Sequence, residues 1–359
     1  MLKYECEGKN VHSAPLPLPE PSPDSRVPAC LDGRSAKTSR LVIMRGAIQR
    51  GRAGYRRVMP ESLLQRMLYL LPPPRPVRRL WRRVNPWRNR LPRSLMNGFP
   101  KAGTHLLQRC VRLLPGLWWD SKWLHWEMQH SISELDVPVE KIDQGEWPPA
   151  VQATDRVLAS IGPGEVLMAH MRCFPGFVRL LERRGFRSVL ILRDPRDVVV
   201  SLAFHFLCVG THEMNDYFTR VLRTDDERFL ACIRGVKSSP ETGGKGTGSI
   251  GERLAAFLPW QQVPFNYTTR FERLVGPQGG GDAKTQRAEI EAIARHLDVR
   301  LTAERLDQVV ENLYGQGVTF RRGQIGGWKH HFTEAHRAAF KEAAGQYLIE
   351  LGYEKDYDW

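Results

Sequence analysis

From Ser94 onward, short apolar runs alternate with stretches whose apolar residues return at helical spacing. Leu95 to Phe99 predicts a strand, a glycine turn follows, and Thr104 to Leu113 predicts a helix. Val166 to Ala169 predicts a second strand and Ser188 to Leu192 a third, the latter running into a helix from about Asp197 to Leu207. Strand, loop and helix repeated in this way predict an α/β fold, with a central parallel sheet flanked by helices. The glycine-rich stretches 243–251 and 276–281 read as loops between helices. After the first predicted helix come Trp118, Trp119, Trp123 and Trp126, of which Trp119, Trp123 and Trp126 share a helical face. Such a stripe reads first as core, and second as an aromatic platform for a sugar or lipid.

Residues 1–93 follow another pattern. Thirteen of the chain's 25 prolines fall in residues 1–98, including the alternating run from Pro15 to Pro23 and the cluster Pro72, Pro73, Pro74 and Pro76. This composition favours extended chain over packed structure. Between the clusters, residues 61–71 carry Leu63, Leu64, Met67, Leu68 and Leu71 at amphipathic helical spacing, and arginines interleaved with Trp81 and Trp87 follow. The division expected is therefore a basic, proline-rich and largely disordered N-terminal extension over 1–93 and a folded domain over 94–359.

Charge sharpens that division. Residues 1–98 hold 20 Lys and Arg against 6 Asp and Glu, which accounts for the whole net charge of +14, so any basic site in the rest is local. Residues 61–93 read first as a solvated basic leader and second as a segment for peripheral contact with an anionic membrane, with nucleic acid the weaker partner. No apolar run approaches the ~18 residues of a membrane span. The N-terminus has no secretory pattern. Six scattered cysteines without zinc spacing point to a reduced, metal-free, cytoplasmic protein, with membrane association left open.

Three segments carry chemistry. Phe99-Pro100-Lys101-Ala102-Gly103-Thr104-His105 sits where a strand hands over to a helix, where backbone N–H groups and the helix dipole favour phosphate. It is not a Walker A loop, because its Lys precedes its Gly. In the second segment, a buried-type strand ends in Arg193, Pro195 fixes the turn, Asp197 helps start the helix, and Ser201 lies about one turn inside it. Arg193 and the Lys101 loop both fall at carboxyl ends of strands, where ligands gather in parallel sheets. The third, Phe320 to Thr333, places Arg321 and Arg322 before Gly323, Gly326 and Gly327, a loop able to wrap an anion.

In this order and spacing the segments resemble the sulfotransferases that use 3′-phosphoadenosine 5′-phosphosulfate (PAPS). The first resembles the family's Pro-Lys-Ser/Ala-Gly-Thr-Thr-Trp loop, and the second its 3′-phosphate segment, with Arg193 and Ser201 at the family spacing. The third is similar to Arg-Lys-Gly-x-x-Gly-Asp-Trp-Lys-x-x-Phe-Thr, and Arg270 to Leu274 to the family's Arg-Tyr-Glu-Asp-Leu strand end. The resemblance covers about residues 94 to 359 and implies a P-loop-like three-layer αβα domain with PAPS as sulfuryl donor and no metal. It assigns the 5′-phosphosulfate to Lys101, Ala102, Gly103, Thr104 and His105, the 3′-phosphate to Arg193, Ser201, Arg321, Arg322 and Gly323, and the neighbourhood of the base to Phe271.

It also implies in-line displacement by an acceptor hydroxyl or amine, with Lys101 at the leaving oxygen and His170 as general base. Carbohydrate-acting relatives often use a Glu or Asp as base instead, and the sequence leaves that alternative open. The acceptor is expected to be a carbohydrate, a lipid-linked compound or another small molecule. The chain departs from the family at Leu106, which replaces a Trp that stacks on adenine, at Phe271, which replaces a Tyr, and at His105 and Gly327. The family's short dimerisation pattern is not visible before Phe320. Two other classes compete: a nucleotide-binding phosphoryl transferase, and a non-catalytic membrane- or nucleic-acid-binding protein acting through its basic leader. A kinase would need a Gly-Lys-Ser/Thr loop and an acidic Mg²⁺ ligand at a strand end, and neither is found.

Overall fold

The computed structural model describes residues 90–124, 135–315 and 323–359, with the side chains of 120–122 left out. Residues 1–89 of the N-terminal extension, with its amphipathic segment, and Trp126, Arg321 and Arg322 lie outside these residues. Five strands form one sheet: β1 (Arg93–Gly98), β2 (Trp118–Leu124), β3 (Glu165–Ala169), β4 (Phe186–Leu192) and β5 (Asn266–Arg270). Their order is β2-β3-β1-β4-β5 and every pair is parallel, as the alternating pattern predicts.

Neighbouring residues on each central strand serve opposite faces, because side chains alternate along a strand. Leu95, Leu167, Ala169, Leu190 and Leu192 enter one apolar core, and Met96, Val166, Met168, Val189 and Ile191 enter the other. A sheet apolar on both faces must be covered on both, so the domain has three layers. Helices α1 (Thr104–Leu113), α9 (Ala283–His296) and α10 (Ala303–Leu313) cover the second core. The first is covered by α4 (Pro175–Arg183), α5 (Pro195–Cys208), α6 (Asp225–Arg234), α7 (Ile250–Phe257) and α11 (Glu334–Glu350). The remaining helices are short α2 (Val139–Gln144), α3 (Pro149–Ala159) and the single turn α8 (Phe271–Leu274).

Local chemistry fixes the helix starts. Thr224 with Glu227 and Ser249 with Glu252 form reciprocal capping boxes at α6 and α7. At α5, Pro195 occupies the first turn and the Asp194 carboxylate accepts from the Arg196 amide.

One expectation fails. Trp118, Trp119 and Trp123 lie on β2, an edge strand, and not on a helix. Trp119 pairs with Val166 and Trp123 with Met168, so four residues of β2 span two of β3 across an irregularity. That bulge supplies the four-residue spacing that imitates a helical stripe.

Candidate active site

The carboxyl ends of β1, β3 and β4 open onto one cavity of about 440 Å³. The loop after β1 begins it. Gly98 packs so closely under α1 that a β-carbon there would stand 2.0 Å from Oγ1 of Thr104. Lys101 has φ 71° and Gly103 φ 99°, two left-handed residues around a buried Ala102, a combination that makes a concave backbone suited to anions. At Gly103 a β-carbon would also meet Phe271 Cδ2 at 2.8 Å, so only glycine fits. No side chain caps α1, and its N-terminus faces the cavity. The Thr104 hydroxyl is buried without a hydrogen-bond partner. A buried orphan donor beside a helix N-terminus fits a phosphate oxygen.

His170 follows β3, and two contacts fix it. Its Nδ1 lies 2.7 Å from the carbonyl oxygen of Gly98. That oxygen only accepts, so Nδ1 carries the proton and Nε2 keeps its lone pair. The next residue is clamped: the Met171 amide donates to Asn97 Oδ1 at 2.8 Å, and the Met171 carbonyl accepts from Asn97 Nδ2 at 2.8 Å and Trp260 Nε1 at 2.9 Å. Trp123 packs on the imidazole at 5.6 Å between ring centres. Burial pushes the His170 pKa down to about 4, with His105, Lys101 and Arg253 adding repulsion against the Gly98 hydrogen bond. The ring is therefore neutral at neutral pH. His205, on the same cavity wall, is lowered to about 4 by burial and by Lys101 and its neighbouring histidines.

Arg193 leaves the end of β4 with its guanidinium 4.3 Å from the Phe271 ring centre. Its Nη2 donates to Asp197 at 3.1 Å and to the Gln324 carbonyl at 2.7 Å, while its Nε is buried without a partner. Ser201 lines the cavity two turns into α5. Asp197 does more than start its helix. Its carboxylate accepts the amides of Gly326 and Trp328, both at 2.9 Å, and so ties the third segment to the second. Gly323 lines the cavity beside Gln324.

The structure thus brings Lys101, Gly103, Thr104, His105, His170, Arg193, Ser201, Phe271 and Gly323 to one cavity. Ala102 is wholly buried beneath the loop and offers only backbone. Leu106, in place of the family's Trp, lines the cavity with Phe271, Val275 and Leu313. Sequence reasoning missed Asn97 and Arg253, read Trp123 first as core, and gave Asp197 only its capping role. A polar residue inside an apolar strand was the one available signal for Asn97.

The sulfotransferase domain model matches residues 91–352. The chain belongs to the sulfotransferase family, whose sulfuryl donor is PAPS, and this membership sets aside the phosphoryl-transferase class. Among solved structures, it is similar to a mouse sulfotransferase complexed with PAP at 13% identity, covering 72% of this chain and 86% of that one, with a TM-score of 0.48. It is also similar to retinol dehydratase in complex with androsterone and the inactive cofactor PAP, at 16% identity over 75% of this chain and 84% of that one, TM-score 0.46. A second retinol dehydratase structure, with retinol and PAP, matches at 16% identity over 75% and 85%, TM-score 0.44. No curated protein matches the chain.

Proposed function

We propose that this chain transfers the sulfuryl group of PAPS to a hydroxyl or amine of a small-molecule acceptor by in-line displacement, with His170 as general base. The observation that carries this reading is the meeting of His170 Nε2, the Lys101 loop and Arg193 at three adjacent strand ends, with two buried donors, Thr104 Oγ1 and Arg193 Nε, lacking partners. Two orphaned donors in an electropositive cavity fit an anionic nucleotide. When bound, PAPS supplies the transferable group and a 5′-phosphate as leaving group.

The chain's residues have separable tasks. Gly103, Thr104 and the N-terminus of α1 hold the 5′-phosphate, with Ala102 and His105 shaping the loop. Lys101 places positive charge where the leaving oxygen gains electrons. Arg193, Ser201 and Gly323 receive the 3′-phosphate, joined by Arg321 and Arg322 from outside the described residues. Leu106, Phe271, Val275 and Leu313 offer the base an apolar slot. His170 takes the acceptor proton on Nε2, and its Nδ1–H bond to Gly98 becomes stronger as the ring charges. Burial is the main cause of the low imidazole pKa, and an anion beside Lys101 offsets the smaller part that Lys101 adds, so donor binding raises the basicity of His170.

The cavity's volume lies within the range of small-ligand pockets. Calorimetric titration with PAP, the desulfated product, tests the reading. Wild-type protein binds PAP, and Arg193→Ala weakens binding by about tenfold or more. A folded wild type that does not bind PAP would refute it.

A further inference from the structure

Beyond the groups that hold the donor, the cavity wall contains a cation that the proposed mechanism does not use. Arg253 lies on α7, and two bonds dock this part of the chain over the His170 segment. The Cys173 amide donates to the Ala256 carbonyl at 2.8 Å, and Trp260 Nε1 donates to Met171. The Arg253 guanidinium sits 5.3 Å from the Phe99 ring centre, and its Nη1 is buried without a hydrogen-bond partner. Among the described residues no carboxylate pairs with it. Glu252, its neighbour in sequence, is occupied by the Ser249 amide at 2.7 Å.

The cavity's two carboxylates are engaged elsewhere, Asp197 with Arg193 and Glu213 with Lys245 at 3.7 Å. Arg172, exposed at the rim, adds a second cation on the same side. Burial and the nearby Arg172 pull the Arg253 pKa down to about 10, so it remains charged at neutral pH. A buried guanidinium without a counter-ion costs stability, and a bound oxyanion would remove that cost.

Resting on the PAPS reading above, we propose that Arg253 is an acceptor-binding residue, and that the acceptor carries an oxyanion, a carboxylate or a phosphate, in addition to the hydroxyl that is sulfated. The donor's phosphates already have Lys101, the α1 N-terminus and Arg193. Arg253 comes from a different element, the helix docked over the His170 segment, where an acceptor presents its hydroxyl to the base. Arg172 guides the anion in from the rim. The Phe99 ring, 5.3 Å from the guanidinium carbon, helps to hold the cation in place.

The test uses the full chain saturated with PAP. It is titrated with para-hydroxybenzoate, para-hydroxyphenylacetate and para-hydroxyphenylpropionate, each against its own amide, which has the same shape without the charge. At least one acid should bind about tenfold or more tighter than its amide. Arg253→Gln should erase that preference while leaving PAP affinity unchanged, and Arg253→Lys should keep part of it. Removing an unpaired buried charge should leave the melting temperature equal or higher, so the variant folds. Acids binding no better than amides, no binding by any probe, or a preference that survives Arg253→Gln would each overturn the proposal. A loss of PAP affinity in Arg253→Gln would also overturn it, by assigning Arg253 to the donor. Failure of the wild type to bind PAP is a separate result, which refutes the donor reading and this inference with it.

Discussion

His170 combines two properties that pull against each other in a general base. The Gly98 carbonyl fixes its tautomer so that Nε2 faces the cavity unprotonated, while burial and neighbouring cations hold its pKa near 4. A base must be neutral to act, so activity is lost as pH falls through its pKa. The acid limb of kcat/KM, which reports the free enzyme, should therefore lie near pH 4 and not near the ordinary imidazole value of about 6.5. The limb of kcat should lie higher, because bound donor offsets the charge of Lys101. Replacing His170 with Ala should lower kcat by about 10²- to 10⁴-fold with PAP affinity nearly unchanged. If residual activity in that variant keeps the same acid limb, another group is the base, and His205 is the next to test. The pattern Met-Ala-His-Met at a strand end is visible in the sequence. The clamp on Met171 is not, because Asn97 and Trp260 reach it from 74 and 89 residues away.

At the level of elements, the loops after β1 and β4 were legible because apolar runs ended abruptly in Gly, Pro and charged residues. The predicted helix over Thr104 to Leu113 agrees with the structure, while α5 begins two residues earlier than predicted, at Pro195, which is favoured in a first helical turn. The tryptophan segment was misread for a physical reason. Pairing to β3 is a tertiary effect, and the bulge between Trp119 and Trp123 gives an edge strand a helical repeat. Asp197 shows the same limit from another side, since its contacts to Gly326 and Trp328 span about 130 residues. Those contacts give a prediction. Asp197→Ala strips the acceptors from two amides and from Arg193, so the third segment loses its tether. PAP affinity should fall by about tenfold while melting drops by only a few degrees, and Asp197→Asn, which keeps one acceptor oxygen, should fall between. Equal PAP affinity in all three proteins would mean that the third segment does not contribute to the nucleotide site.

Across the whole molecule, the strongest charge signal in the sequence lies almost entirely upstream of the described residues. The sheet, both cores and the cavity all lie between Leu91 and Trp359, and the family match spans 91–352. The excess of positive charge lies upstream of Pro100, while the remainder is balanced. The cavity is electropositive in spite of that balance, because Lys101, Arg193 and Arg253 converge while its carboxylates are paired. Local convergence therefore gives the cavity its positive charge without the N-terminal segment. No helix among the described residues is long and apolar enough to cross a membrane. Attraction between residues 61–93 and anionic lipid would be worth about 1 kcal/mol per Lys or Arg near the surface and would weaken within a Debye length as salt rises. The full chain should sediment with vesicles containing phosphatidylserine at low salt and release as salt is raised, whereas a chain lacking residues 1–89 should stay in solution. Both should bind PAP with the same affinity, because the nucleotide contacts proposed above lie downstream. If deletion left sedimentation unchanged, lipid contact would belong to the folded domain; if it abolished PAP binding, the leader would be part of the active enzyme rather than an appendage that positions it.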